Sequence, residues 1–246
     1  MPAERRSLSQ TVVAITGAGS GIGQAAAELL LESGASIVAA DINPAALDGL
    51  VSRWGSERVA TVAMDVRNPD DSSVLVDTAL AAFGRLDSLV ANVGIGYFGG
   101  ITEWSDEQVA QMIDTNSLGT IWPIRAVVRH FDSRPGGGDI VIIASVAGLG
   151  TGNAYEAVYA ATKYSQVGLA VSLDREVRER GIRVSVIAPA AVDTNFAHGT
   201  GRTPGDPVLE EFLRPSDVGF AVQTVLEQPR RMRTALWTMW SMAEKS

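Results

Sequence analysis

Short runs rich in β-branched residues alternate along this chain with longer runs that carry apolar residues at helical spacing. The short runs lie at residues 11–16, 36–41, 58–66, 86–91, 140–145 and 183–188, with a last one at 234–237. The longer runs lie at 22–33, 45–54, 70–83, 106–129, 155–180 and 216–227. A continuous apolar run of strand length reads as a strand buried on both faces, and a 3.6-residue period reads as a helix with one apolar side. Gly34 stands where the first helix would end, and Pro44 where the second would begin. Strands that alternate with helices of this length form βαβ units and a parallel sheet. Right-handed crossovers then give a doubly wound α/β fold with helices on both faces. The 246 residues contain no interior linker and no repeat. We therefore expect a tail at 1–10 and a single domain at 11–246. Residues 195–215 are rich in Gly, Pro and polar residues, and a loop of that length in a compact domain is functional or mobile.

Composition narrows the chemistry. The chain has no cysteine, so disulfides, thiolate metal sites, iron–sulfur clusters and cysteine nucleophiles are excluded. Its two histidines, His130 and His198, are far apart in sequence, and no metal is expected. The formal charge is −8 and there is no basic run, which argues against nucleic acid or an anionic membrane as partner. The opening residues, MPAERRSLSQ, lack the apolar stretch of a signal peptide. No apolar run reaches the ~18 residues of a membrane span. A soluble, cytoplasmic protein is the expectation.

The first strand runs into Thr16-Gly17-Ala18-Gly19-Ser20-Gly21-Ile22-Gly23 and then a helix. Glycines allow a tight turn and close approach to a pyrophosphate, and the helix N-terminus offers free N–H groups and a positive dipole end. Gly17, Ser20, Gly21, Ile22 and Gly23 are the cofactor candidates in this turn. Asp41 ends the second strand about 20 residues further on, where a carboxylate reaches ribose hydroxyls and repels the extra phosphate of NADP. Read alone, it is also an ordinary strand-end aspartate that caps the next helix. Asp65 and Val66 close the third strand and are candidates for an adenine, through the carboxylate and the backbone N–H. Asn92, in Asn92-Val93-Gly94, closes the fourth strand and either lines the cofactor cleft or simply forms a turn.

Tyr159 and Lys163 are four residues apart in an expected helix, so both project from one face. With four tyrosines and two lysines in the chain, this spacing arises by chance about 0.03 times. A free phenol ionises near pH 10 and is a poor base at neutral pH. A neighbouring ammonium stabilises the phenolate, which can then exchange a proton with a hydroxyl or carbonyl. Ser145, at the end of the strand before that helix, can hydrogen-bond the same oxygen. Asn116 is a poor interior helix residue, so its side chain or a local bend serves a purpose. Thr194, after Pro189 and Val192, is placed to bond a carboxamide.

Together these residues resemble the short-chain dehydrogenase/reductase family, over roughly residues 10–240, in its branch of about 250 residues. The motifs are TGAGSGIG at 16–23, Asp65, ANVG at 91–94, Asn116, Ser145, YAATK at 159–163 and PAAVDT at 189–194. The resemblance implies a Rossmann-type fold and a catalytic tetrad of Asn116, Ser145, Tyr159 and Lys163. Tyr159 would be the general acid/base. Lys163 would lower its pKa and hold the nicotinamide ribose. Ser145 would polarise the carbonyl, and Asn116 would help hold a water that links Lys163 to solvent. Two positions depart from the family pattern: Val93 stands for alanine and Ala190 for glycine, which puts the pocket's shape in question more than its chemistry.

The expected function is an NAD-dependent oxidoreductase that interconverts a secondary alcohol and a ketone. The alternatives are a non-catalytic NAD(H)-binding regulator on the same fold and an NADP-linked ketone reductase. Segments after the strand ends should build the substrate pocket from Tyr97, Phe98, Leu149, Tyr155 and Phe196, with Asn153, Glu156 and His198 as polar candidates. The resemblance also implies a homo-oligomer, a tetramer or otherwise a dimer, with the helices at 106–129 and 155–180 paired across a two-fold axis. The apolar C-terminal segment 235–242 packs either on a neighbour or on its own sheet edge.

Overall fold

A computed structural model describes residues 4–150 and 153–243. Its centre is one parallel sheet of seven strands: β1 (Val12–Thr16), β2 (Ser36–Asp41), β3 (Val59–Ala63), β4 (Ser88–Ala91), β5 (Gly138–Ile143), β6 (Ile182–Pro189) and β7 (Leu236–Met239). They lie in the order β3-β2-β1-β4-β5-β6-β7. The order reverses between β1 and β4, and at such a switch point a crevice opens beyond the carboxyl ends of the strands.

The strands are apolar on both faces because both faces are covered. Val13, Ile15, Ile37, Val90, Val141 and Ile187 point to one side, where they pack with helices α1 (Gly21–Glu32), α2 (Asp48–Trp54) and α7 (Pro215–Glu227). Val12, Ala14, Val38, Leu89, Ile140 and Val186 point to the other, against α3 (Pro69–Phe83), α5 (Gly119–Asp132) and α6 (Ala157–Val177). The period of two between these sets is the alternation of side chains along a strand. Local signals start and stop several helices. Asn68 caps α3, Pro69 occupies its first position and Gly84 ends it in the left-handed conformation. Ser105 and Gln108 form a reciprocal capping box at the start of α4 (Asp106–Ile113).

The structure revises four sequence expectations. The helix expected over 106–129 is three pieces: α4, a π turn over Asp114–Leu118, and α5. The helix expected over 155–180 begins at Ala157, because Tyr155 has a positive φ of 67° that no helix accommodates. The last strand is shifted to Leu236–Met239 and pairs with β6. Trp237 and Met239 pack on the core, so this part of the C-terminal segment covers its own sheet edge, while Trp240 and Met242 stay exposed. Residues 195–215 are partly organised, by a bridge from Val192 to Leu213, another from His198 to Arg202, and a 3₁₀ turn over Pro207–Glu211. None of the helices is long and apolar enough to cross a membrane among the described residues.

Candidate active site

The crevice at the switch point is a cavity of about 580 Å³, within the range of small-molecule sites. The glycine turn forms one end. Its backbone is folded so tightly that a Cβ on Gly23 would lie 2.0 Å from the carbonyl oxygen of Gly17. A Cβ on Gly19 would meet Asp41 Oδ2 at 2.8 Å. Asn92, from the end of β4, braces the turn: its Nδ2 donates to the carbonyls of Thr16 and Gly17 at 3.1 and 3.2 Å. Its backbone N–H donates to Thr16 Oγ1 at 3.1 Å. Ser20 precedes α1 in an extended conformation and its hydroxyl makes no capping bond. Gly17, Ser20, Gly21 and Ile22 all line the cavity, while Gly23 supports the turn from below.

Asp41 sits beside this turn. Its Oδ2 accepts from Gly19 N–H at 3.0 Å and its Oδ1 from Asn43 N–H at 2.9 Å. The fixed carboxylate faces the cavity together with Ile42. Asp65 and Val66 line the same side. The Asp65 carboxylate is gripped by Arg67, whose Nε and Nη2 donate to it at 2.6–3.0 Å. That hydrogen bond draws the carboxyl below its ordinary value, against a smaller opposing effect of burial. An open carboxylate for an adenine amine is thus replaced by an ion pair, which leaves fewer lone pairs for a ligand. Val66 is buried against Gly119, where a Cβ would come within 2.6 Å of its Cγ2.

Farther along the cleft, Ser145, Tyr159 and Lys163 line the cavity together. Ser145 leaves β5 in an extended conformation, and its Oγ accepts from Ala147 N–H at 3.2 Å. Tyr159 and Lys163 share the inner face of α6 and are both buried. Lys163 Nζ lies 5.6 Å from the centre of the Tyr159 ring. Burial pushes the phenol up to about 12, opposed by a hydrogen bond from Ser145 and by the charge of Arg202, and reinforced by the charge of Glu156. Burial likewise pushes Lys163 down to about 7. The phenol is therefore not drawn down here, as was expected of Lys163: desolvation disfavours the charged forms of both groups. Lys163 donates to Ile143 O at 3.3 Å and to Gln166 Oε1 at 2.9 Å.

Asn116 lies in the π turn, fully buried. Its Oδ1 accepts from Ile95 N–H at 2.8 Å, and its Nδ2 donates to Ile95 O at 2.8 Å and Thr162 Oγ1 at 3.0 Å. The side chain thus pins the loop after β4 to α6, and it is occupied doing so. Its main-chain carbonyl accepts from Thr120 Oγ1 at 2.7 Å and Gln166 Nε2 at 2.9 Å. The two lone pairs of that main-chain carbonyl are thus both engaged.

The other end of the cavity has an aromatic wall. Phe98 meets the Tyr159 ring edge-on at 5.3 Å, and Phe196 lies 5.7 Å from it. Tyr97 lines the cavity and donates through its hydroxyl to Gln111 Oε1 at 2.7 Å. Tyr155 is not part of this wall: its backbone carbonyl accepts from Gly99 N–H, but the residue is 72 % exposed. Its positive φ directs the chain away just before α6 begins. Leu149 packs on the core instead, and Asn153 N–H donates to the Glu156 carboxylate outside the cavity. His198 lines the cavity with its Nε2 buried and without a partner. Pro189, Val192 and Thr194 form the roof, with Thr194 Oγ1 accepting from Phe196 N–H at 3.2 Å. Gln111, Thr115 and Arg202 line the cavity, and Gln166 bonds Lys163 behind it; spacing did not reveal these residues. None of them carried a signal in the sequence that sets it apart from an ordinary polar residue of a helix or loop.

These residues suit a nicotinamide dinucleotide. The first turn of α1 offers backbone donors to an anion where no side-chain cap competes, and a fixed carboxylate stands at the end of β2. No group of three or more potential metal-ligating side chains occurs among the described residues.

The family model described as short chain dehydrogenase matches residues 11–204. An uncharacterised oxidoreductase of Staphylococcus aureus (strain USA300) is 31% identical over 225 residues, covering 92% of this chain and 94% of that protein. 3beta-hydroxysteroid dehydrogenase 2 of Eggerthella lenta is 34% identical over 230 residues, covering 92% and 85%. Among solved structures, an alcohol dehydrogenase of Thermococcus sibiricus complexed with 5-hydroxy-NADP matches with a TM-score of 0.86 at 27% identity, covering 96% of this chain and 98% of that one. A 3-ketoacyl-(acyl-carrier-protein) reductase of Brucella melitensis complexed with NADH matches with a TM-score of 0.83 at 28% identity, covering 94% and 97%. With the sheet order, the glycine turn and the Tyr159–Lys163 pair already in place, these matches make the chain a member of the short-chain dehydrogenase family of oxidoreductases.

Proposed function

We propose that this chain is an NAD-dependent oxidoreductase that interconverts a secondary alcohol and a ketone. The observation that carries this reading is the meeting of Tyr159, Ser145 and Lys163 in one cavity with the glycine turn and Asp41. A bound nicotinamide supplies the hydride acceptor or donor. Gly17, Ser20, Gly21, Ile22 and Gly23 would hold its pyrophosphate end, Asp41 its adenosine ribose, and Asp65 and Val66 would border the adenine. Asn92, Pro189, Val192 and Thr194 would frame the nicotinamide end, with Lys163 at its ribose. In the oxidation direction Tyr159 takes the proton of the alcohol hydroxyl; in reduction it returns that proton to the carbonyl oxygen. Ser145 donates a hydrogen bond to the same oxygen and orients it.

Tyr97 and Phe196 on the cavity wall, with Phe98 packed on Phe196, favour an apolar substrate, and the hydroxysteroid dehydrogenase among the relatives makes hydroxysteroids one class to include in a panel. In the same reading the protein is a homo-oligomer. An apolar groove formed by Ile101, Val109, Ile113 and Val158 on the outer side of α4 and α6 supports this.

An NADP-linked reductase is the second reading, favoured by the NADP derivative bound to the Thermococcus sibiricus alcohol dehydrogenase. Asp41 opposes it, and Arg67 on the cavity wall is tied to Asp65. The test is initial-rate turnover on a panel of secondary alcohols and ketones with each nucleotide, with Tyr159→Phe as control. Loss of one general acid/base lowers the rate by about 10²–10⁴-fold. Undiminished turnover by Tyr159→Phe would remove the mechanism, and turnover with NADP(H) alone would replace the cofactor.

A further inference from the structure

Gln166 is 1% exposed, and a buried amide in a helix facing an active site must have its hydrogen bonds satisfied. Its Oε1 accepts from Lys163 Nζ at 2.9 Å. Its Nε2 donates to Asn116 O at 2.9 Å and to Thr120 Oγ1 at 2.7 Å. The chemistry fixes the orientation of the amide: a lysine ammonium can only donate, and a main-chain carbonyl can only accept. Thr120 donates its own proton to Asn116 O at 2.7 Å. The carbonyl of Asn116 therefore has both lone pairs engaged, and the π turn that exposes this carbonyl is matched to a glutamine one turn beyond Lys163.

We propose that Gln166 is a positioning residue for the proton-transfer pair: its amide ties the Lys163 ammonium to the Asn116 carbonyl and occupies the acceptor that a relay water would need. The far side of Lys163 is then a fixed hold, because an amide bears a hydrogen bond without passing a proton on. Protons then reach Tyr159 from the cavity side, which both Tyr159 and Lys163 line. This inference rests on the proposed role of Tyr159 and adds a residue to it.

The surroundings of Lys163 make the effect readable. The neighbouring elements present it with Ile143 O, Asn116, Thr120 and the backbone at Gly94, none of them charged. Its depressed pKa has burial as its cause. Tyr159 is its titratable neighbour on α6, with Glu156 and Arg202 acting on that phenol and His198 on the cavity wall. Lys163 and Lys245 are the chain's two lysines, so protein labelled with ¹³C at lysine Cε gives two signals, and Lys245→Arg assigns them.

The experiment follows Lys163 by pH titration in the full chain without substrate, for wild type, Gln166→Leu and Gln166→Glu. A hydrogen bond to a charged group is lost in Gln166→Leu, so the midpoint falls by about one pH unit. In Gln166→Glu a carboxylate faces the ammonium and the midpoint rises above that of the wild type. Midpoints equal to wild type in cooperatively folded variants overturn the proposal, and Gln166→Glu alone decides if Gln166→Leu does not fold. In a second measurement, the pH–rate curve for alcohol oxidation by Gln166→Glu shifts to higher pH, since the carboxylate opposes the phenolate. An unchanged curve overturns the role in proton transfer. The titration needs no turnover, so failure of the Tyr159 mechanism, read from Tyr159→Phe, is distinguished from failure of the Gln166 assignment.

Discussion

Tyr159 and Asp41 each do work that a neighbour makes possible. The phenol is buried and raised to about 12, so at neutral pH it is protonated and ready to donate. Alcohol oxidation, which needs the phenolate, is therefore expected to accelerate as pH rises from about 7 to about 10, while ketone reduction does not; initial-rate pH profiles in the two directions check this. Asp41 is held by two backbone N–H groups. Asp41→Ala should weaken NADH binding at least about tenfold, the scale of a charged hydrogen bond, and narrow the gap to NADPH; fluorescence titration measures both. At Gly96 an added Cβ would approach Phe196 Cζ to 2.8 Å and Phe98 Cζ to 3.2 Å. Gly96→Ala should raise KM for bulky substrates several-fold with little change in dinucleotide binding. The pair Tyr159 and Lys163 was legible because helical spacing fixes which residues share a face. Gln166 was not, because a polar residue beside polar neighbours looks the same in sequence whether it faces water or an ammonium. The place of Tyr155 was not legible for a related reason: its backbone has a positive φ and the residue is exposed outside the cavity wall, which the sequence does not show.

The strands were readable as elements because burial on both faces leaves continuous apolar runs, and their parallel arrangement followed from the alternation with helices, whereas their order in the sheet came only with the structure. The break between α4 and α5 was not, since apolar spacing continues through it. Only Asn116 marked it, and the structure shows why: the π turn places Asn116 where it bonds Ile95 on one side and Thr162 on the other. Asn116→Ala removes three hydrogen bonds made by a fully buried amide and leaves the Ile95 groups unpaired. We expect a loss of about 2–4 kcal/mol in urea unfolding, together with reduced turnover, because the loop after β4 loses its anchor. Val93 packs on the core and contacts the glycine turn, where a Cβ on Gly17 would meet its Cγ2 at 3.0 Å. This departure from the family pattern is accommodated beside the turn.

The site lies at the carboxyl ends of the strands, and a second polar cluster ties their amino ends together across the molecule. Asp139 is buried and accepts from Arg183, Arg230 and Arg6 at 2.6, 2.6 and 2.8 Å, linking β5, β6, the segment after α7 and the N-terminal tail. Burial pushes its pKa up, but the Arg183 hydrogen bond and the three guanidinium charges bring it below the ordinary 3.8. A depressed carboxylate contributes stability that is complete above the unfolded pKa and is lost as pH falls through the folded one. Acid unfolding should thus start below about pH 4. Asp139→Asn, which removes the buried charge that three guanidinium groups share and leaves them only main-chain carbonyls, should cost about 3–5 kcal/mol in urea and flatten that pH dependence. Exposed Ile113, Tyr164 and Val171 on α4 and α6 fit an assembly, and light scattering at micromolar concentration should give a dimer or tetramer mass. All of the proposed chemistry depends on the crevice at the switch point being an NAD site. Parallel fluorescence titrations with NADH and NADPH decide this without any knowledge of the substrate. Saturable NADH binding at least about tenfold tighter than NADPH is expected; equal or tighter binding of NADPH, or no binding of either, would contradict it.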